Sequence, residues 1–544
     1  MSANERSPGV KELPSLPDEL LRSGAWSERP AKVELCETHI SWVYLTDRYA
    51  YKVKKPVKLE FLDFSTLERR KQACLEEVRL NRRLAPDIYL GVVPIVRVAS
   101  GRLRVGGTGP VVDWAVKMHR LPEDRSLDRL IADHELQEAE LQRLVNRLVC
   151  FYSSLPPLAM AAEKYRTSIE RHILENQREL ADRRHGLPPL LVERVHGAQI
   201  RFLHLASELI DNRVCDGRVV EGHGDLRPEH IYLSGEPVII DCLEFSHELR
   251  RIDVLDEISF LAMECAMLGA PSIGRRIITQ FSAISGDRPD MRLLAFYQSY
   301  RACVRSKVMS IRAQQLAGAA QEKAQRTALR YLSIADEFAR QWSAPLLVVV
   351  SGLAGTGKST VAAGLSEQLV LTPLQTDSIR RELSAGDESA SDRYSPQQRA
   401  EVYAEMFRRA SELLQRRQSV VLDGTFLQHS QIRSAQDLAA REGAKLLVVR
   451  CHCPASVAHE RIRGRAGADS CLSEATPEVH DRQMLEMEAI PESVSHHEIE
   501  TTRGWPEIWN DLRAYLRGEL LGFPASGAVA PPVSFWSNLT AYAG

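Results

Sequence analysis

Between residues 30 and 120 apolar and polar positions alternate in short runs, "HISWVYL", "YAYKVKKPV", "IVRVASGRLRV" and "VVDWAVKMHRL". A period of two predicts strands of a small antiparallel sheet. One stretch, Thr66 to Leu84, carries the helical period instead. From about 125 to 335 helical patterns dominate, interrupted by "EGHGDLRPEHIYL" and by "PVIIDCLEF", a strand flanked by turns. The pattern then changes. "QWSAPLLVVVSGLAGTGKSTVAAGLSEQL" is a continuous apolar strand, a Gly-rich turn and a helix, and "SVVLDGTF" and "AKLLVVRCHCPASVAHERI" repeat the strand-then-helix order of a parallel α/β sheet. The reading is an N-terminal extension over 1–29, a sheet lobe followed by a helical lobe over 30–340, a parallel α/β domain over 341–520, and a flexible tail over 521–544. The tail is rich in Pro, Gly, Ser and Ala with no period.

Composition narrows this picture. A chain of 544 residues exceeds one core, which agrees with two domains. Lys and Arg number 70 against 72 Asp and Glu, a net charge of −2, so no bulk field recruits nucleic acid or an acidic membrane. No basic stripe is interleaved with aromatics, which counts against nucleic-acid binding. The ten cysteines show no disulfide or zinc-ribbon spacing, and "CHC" at 451–453 reads as strand-end thiols. The N-terminus lacks the apolar core of a signal peptide, and no apolar run approaches a membrane span. The expected location is cytoplasmic, with no membrane partner.

Gly352 to Ser359, "GLAGTGKS", fits G-x-x-x-x-G-K-[ST] between a strand and a helix. Gly352, Gly355, Thr356 and Gly357 would let backbone N–H groups close around phosphate oxygens, at the positive end of the helix entered at Thr360. Lys358 would reach the β- and γ-phosphates and Ser359 would bind Mg²⁺, so ATP and Mg²⁺ are the expected cofactors. Downstream, "LQTDSIRREL" sets Asp377 one turn before Arg380: a carboxylate to accept a hydroxyl proton and a guanidinium to hold an anionic acceptor group. A helix N-cap is the competing role for Asp377. Asp423 ends "SVVLDGTF" as a water or metal anchor. "RIRGRAGADSCLSEA" supplies Arg461, Arg463 and Arg465 on a polar, Gly-bearing stretch suited to a lid, although an arginine there is as readily a solvated surface residue.

The earlier motif has its own logic. His223-Gly224-Asp225 is followed by His230, and "PVIID" delivers Asp241 sixteen residues after Asp225. Protein-kinase-type chemistry needs these parts in this order: an Asp for the acceptor hydroxyl, a metal ligand shortly after, and a second Asp for Mg²⁺. Upstream, Lys52 and Lys54 share one strand face. Glu77 lies on the stripe of Cys74 and Leu84 and is the inward carboxylate, available to pair with a lysine. Taken singly, such lysines and glutamates are ordinarily solvated.

Residues 346–515 resemble the P-loop kinase group that includes phage-type polynucleotide kinase, zeta toxins and chloramphenicol phosphotransferase. The resemblance rests on the phosphate-binding loop, D-x-x-R, "LDGT" and the Arg-bearing stretch in order. It implies Asp377 as general base, Arg380 as acceptor binder, and Arg461 and Arg465 as neutralisers of transition-state charge. Residues 30 to about 335 resemble the aminoglycoside phosphotransferase and choline kinase superfamily through "HGDL", "IIDCLEF" and "RRIDVLDEISFLAMEC". That implies an α+β protein-kinase-like bilobal fold with Asp225 as base, Asp241 as Mg²⁺ ligand, Lys52 as nucleotide lysine and a hinge near Met118 to Leu121. Two departures stand out: no G-x-G-x-x-G precedes Lys52, and His230 replaces Asn, although Mg²⁺ prefers oxygen. The tandem is similar to bacterial bifunctional aminoglycoside phosphotransferase/ATP-binding proteins.

The expected function is ATP-dependent phosphoryl transfer to a small-molecule hydroxyl, centred on the C-terminal P-loop domain, with a second ATP site in the N-terminal domain and coupling between the domains. The alternatives are a nucleotide-responsive regulator with little transfer and a toxin-like nucleotide-sugar kinase.

Overall fold

The computed structural model describes residues 16–38, 40–59, 62–383, 396–465 and 475–522. The extension before residue 16, the continuation of the Arg-bearing stretch over 466–474 and the tail from 523 lie outside the described residues. Chain contacts divide the molecule into two compact units, residues 1–160 with 213–289 and residues 161–212 with 290–544.

The first unit is built on a six-stranded sheet of β1 (Glu34–Glu37), β2 (Ser41–Leu45), β3 (Tyr49–Lys54), β4 (Tyr89–Arg97), β5 (Leu103–Val105) and β6 (Val111–His119), in spatial order β1-β2-β3-β6-β4-β5. Every pairing is antiparallel. Alternation along β3 assigns its side chains. Tyr51 and Val53 enter one core with Trp26, Tyr44 and Ile95, while Ala50 enters the opposite one with Cys74, Val78, Val116 and Met118. Cys74 and Val78 belong to the helix Leu67–Asn81, capped by the Thr66 hydroxyl, which accepts from the Arg69 N–H. Lys52 and Lys54, in phase with Ala50, therefore point into the space that this helix covers. Farther on, β7 (Val219–Glu221) pairs with β10 (Arg251–Asp253), and β8 (Ile231–Tyr232) with β9 (Val238–Ile239). The stretch between β7 and β10 holds the HGDL loop, backed by the apolar helix Val254–Met267.

The second unit holds a five-stranded, wholly parallel sheet: β11 (Leu346–Ser351), β12 (Thr372–Gln375), β13 (Val420–Asp423), β14 (Lys445–His452) and β15 (His496–Glu500), in order β12-β13-β11-β14-β15. All six residues of β11 are buried, as a central parallel strand covered on both faces requires. Leu347 and Val349 pack toward helices Pro396–Gln415 and His429–Arg441, and Leu346, Val348 and Val350 toward helices Lys358–Leu369 and Trp505–Leu521.

The helices Ala162–Leu180, Pro189–Leu205, Met291–Ala313 and Gly318–Ala339 also belong to this unit. Pro189–Leu205 joins them to the sheet layer. Leu205 lies in the same apolar cluster as Leu369, Arg201 donates to the Leu369 carbonyl at 3.0 Å, and His204 Nδ1 donates to the Gln368 carbonyl at 2.7 Å. A division of the chain at residue 340 falls inside this unit, between Gly318–Ala339 and β11.

Candidate active sites

In the second unit the functional residues collect at the carboxyl ends of β11, β12 and β13, where register sets Gln375 and Val350 opposite Asp423. Ligands of open α/β sheets bind at that edge. The Gly352–Ser359 loop leads into the helix Lys358–Leu369, with Gly357 at its N-cap in the left-handed region, φ 81°. Gly355, φ +78°, passes so close to the helix Ala455–Arg465 that a Cβ would stand 2.6 Å from the Ala458 carbonyl oxygen. Only glycine fits there.

The loop is held by side chains from far along the chain. The Ala354 N–H donates to Gln483 Oε1 at 2.8 Å, and the Ala354 carbonyl accepts from His480 Nδ1 at 2.7 Å. The Thr356 carbonyl accepts from the Thr501 hydroxyl at 2.7 Å, and Arg461 donates to Thr501 Oγ1 at 3.1 Å and to its carbonyl at 2.7 Å. Arg461 thus stands beside Gly357, where an added Cβ would approach its Nη1 to 3.3 Å. Ser359 and Thr360 are exposed on the open side of the loop, and Lys358 is half-buried.

Asp423 is 4% exposed, and its Oδ1 has no hydrogen-bond partner among the described residues. Burial raises its carboxyl above the ordinary value, and Lys358 and Ser359 oppose that shift. An orphaned buried carboxylate oxygen beside a serine hydroxyl is an all-oxygen donor set, the kind that suits Mg²⁺. Ser359 and Asp423 fit that ion. Asp377 lies in the first turn of helix Thr376–Leu383 and pairs with Arg380, Nη1 to Oδ1 2.5 Å. The two residues expected to serve base and acceptor roles are therefore brought together, against one another. Arg463 is exposed, and Arg465 closes its helix while its side chain lies outside the described residues.

In the first unit, Lys52 bridges Glu77 at 3.0 Å and Asp241. Burial works against the Lys52 charge, but Asp241 and Glu77 hold the ammonium protonated well above its ordinary range. Burial likewise pushes the Asp241 carboxyl up, and Lys52 and His230 overcome it and hold it well below the usual carboxylate range. Asp241 is a non-glycine residue in the left-handed region, φ 63°, a strained conformation of the kind found at functional positions. His230 donates from Nδ1 to the Asp225 carbonyl at 3.0 Å, which turns Nε2 toward Asp241 Oδ2 at 3.6 Å. The Asp225 carboxylate, 3.7 Å from both Arg227 Nη1 and His230 Nδ1, is partly open to solvent.

Sequence reasoning missed several of the parts that hold these sites. Glu244 was not foreseen: with Glu77, at 2.5 Å, it encloses the fully buried Lys54 in a second ion pair beside the first. Glu257 anchors the HGDL loop, its carboxylate accepting from the His223 N–H, the Gly224 N–H and the Tyr152 hydroxyl, each at 2.6 Å. A Cβ at Gly222 would collide with that carboxylate at 2.6 Å. A signal did exist for Glu257: the acids Asp256, Glu257 and Glu264 inside the largely apolar helix "VLDEISFLAMECAM" must be buried and bonded. His480, Gln483 and Thr501 carried no such signal.

A parallel sheet with a glycine loop between β11 and the next helix defines a P-loop domain, and residues 347–490 match the family described as AAA domain. Solved structures similar to this part include a gluconokinase from Sinorhizobium meliloti 1021, with 21% identity over 33% of this chain and 94% of that one and a TM-score of 0.25. The Mycobacterium tuberculosis APS kinase CysC in complex with AMPPNP and APS has 20% identity over 31% and 95%, with a TM-score of 0.25. Over its greater length the chain is 33% identical to uncharacterized protein Rv2004c of Mycobacterium tuberculosis and to uncharacterized protein Mb2027c of Mycobacterium bovis, covering 82% of this chain and 88% of each relative. The chain belongs to the family of these mycobacterial proteins.

Proposed function

We propose that this protein is an ATP-dependent phosphotransferase in which the P-loop site of the second unit moves the γ-phosphoryl group of ATP to a hydroxyl of a small molecule. The carrying observation is convergence. The Gly352–Ser359 loop, buried Asp423 with its orphaned oxygen, and the Asp377–Arg380 pair meet at one sheet edge. Backbone N–H groups of the loop and Lys358 hold the phosphates, and Ser359 with Asp423 holds Mg²⁺, which when bound neutralises phosphate charge. Asp377 accepts the proton of the acceptor hydroxyl as its oxygen bonds to phosphorus and the bond to the ADP oxygen breaks. Arg380 leaves Asp377 for an anionic group on the acceptor, which frees the base only when the acceptor is present. Arg461, fixed by Thr501 beside Gly357, offsets charge on the transferring group.

The first unit serves, on this proposal, as a protein-kinase-like nucleotide site, with Lys52, held by Glu77, on the phosphates and Asp241 toward a metal. Its His230 supports a second reading for that unit alone, nucleotide sensing with little transfer, because imidazole nitrogen is a poor Mg²⁺ ligand.

The test is a mass-spectrometric screen of Mg²⁺-ATP with a panel of hydroxyl-bearing metabolites. Wild type is expected to yield one phosphorylated product, and Asp377→Ala to lower its rate by about 100-fold or more. Undiminished product formation by Asp377→Ala would remove Asp377 from the reaction.

A further inference from the structure

Beside the P-loop, on its outer wall, one ring nitrogen of His459, one of His480 and a carboxylate oxygen of Asp481 lie within 4.8 Å of one another. They come from two helices, Ala455–Arg465 and Pro477–Glu486. We infer that these three side chains form a binding site for a transition-metal dication, Zn²⁺ by its chemistry, that clamps the two helices together against the P-loop.

The donor set is two imidazoles and one carboxylate, the three-ligand composition that binds Zn²⁺ and leaves a fourth position for water. It is unsuited to Mg²⁺ or Ca²⁺, which take oxygen. Ligating histidines ordinarily donate their second ring N–H to a carbonyl or carboxylate, which fixes the tautomer and aims the lone pair. His480 is arranged in that way. It is 2% exposed, and Nδ1 donates to the Ala354 carbonyl at 2.7 Å, leaving Nε2 with its lone pair for a metal. His459 Nε2 stands 2.9 Å from Asp481 Oδ1, so two of the ligands already meet, and the rings of His459 and His480 are edge-on at 5.2 Å between centroids. Asp481 is exposed, which gives an ion an entry path.

The position gives the site a consequence. His480 would hold the metal with one nitrogen and the P-loop carbonyl with the other, and Gln483 on the same helix holds the N–H of the same residue, Ala354. The other helix abuts Gly355 through Ala458 and carries Arg461. An ion at this site therefore ties together the two elements that flank the loop, whether or not the loop transfers phosphate.

Co²⁺ replaces Zn²⁺ in such sites and is visible, so the test is titration of chelator-treated full-length protein with Co²⁺ and then Zn²⁺. One Co²⁺ per chain is expected, with the d–d absorption of a tetrahedral nitrogen and oxygen site, no thiolate-to-cobalt band, and displacement by Zn²⁺. Zn²⁺ should raise the melting temperature by roughly 3 °C at saturation. His459→Gln and Asp481→Asn, which leave the His480 contact to Ala354 intact, should keep the metal-free melting temperature and weaken Co²⁺ binding by about tenfold or more. Undiminished Co²⁺ binding in both variants, a thiolate band, or the absence of stoichiometric binding by wild type would each overturn the inference.

Discussion

In the proposed function, His230 and Lys358 each set how the charge of a phosphate is handled at their own site. Lys358 was legible at once, because the phosphate loop is contiguous in sequence. The Lys52 to Glu77 pair was legible through two periodicities, the strand's and the helix's. Lys54 with Glu244 was not, because 190 residues separate the partners and no local pattern marks the second glutamate. Nor was the pairing of Ala354 with Gln483, 129 residues away. For His230 the structure adds a detail that sequence could not hold: Nδ1 is spent on the Asp225 carbonyl, so Nε2 is the nitrogen facing Asp241. An amide in its place offers that space an oxygen, the better Mg²⁺ ligand. We predict that His230→Asn, made in a Lys358→Ala background to silence the P-loop, raises phosphoryl transfer by the first unit about tenfold. An unchanged rate would show that the histidine does not limit that site.

Among elements, the strand-helix alternation and the antiparallel run were both readable, since each follows from a period and its breaks. The role of the helix Pro189–Leu205 was not, because its face is apolar without showing what it covers. That helix carries a titratable group with a definite consequence. His196 is 0% exposed, Nδ1 donates to the Val192 carbonyl at 2.7 Å, and Nε2 is buried with no hydrogen-bond partner among the described residues. Protonation would bury an unsatisfied N–H, and burial lowers the group from 6.5 to about 4. The folded helix refuses a proton that the unfolded chain accepts, so the stability contribution is complete above 6.5 and is lost as pH falls toward 4. Urea unfolding should show the second unit losing about 2 kcal/mol between about pH 7 and pH 5 through this residue. His196→Gln should lose less by that amount. Equal acid sensitivity in the two proteins would contradict the burial argument.

For the whole molecule, sequence composition suggested a division near residue 340, where the pattern changes, whereas packing gathers residues 161–212 and 290–339 into the unit that contains the P-loop. The reason is physical: composition along the chain reports neighbours in sequence, while Leu205, Arg201 and His204 meet Leu369 and Gln368 from more than 160 residues away. A fragment of residues 341–522 would expose the face of helix Lys358–Leu369 that these residues cover. It is expected to aggregate or to melt well below the corresponding transition of the full chain, by differential scanning calorimetry with size-exclusion chromatography. A monomeric fragment with an unshifted transition would contradict this. The described residues include no helix long and apolar enough to cross a membrane. Whether the P-loop is the engine of the molecule is decided by ADP release from Mg²⁺-ATP by wild type, Lys358→Ala and Asp225→Ala. Lys358→Ala is expected to lower the rate by about 100-fold or more and Asp225→Ala to retain most of it. Full activity in Lys358→Ala, with loss in Asp225→Ala, would place the chemistry in the first unit instead.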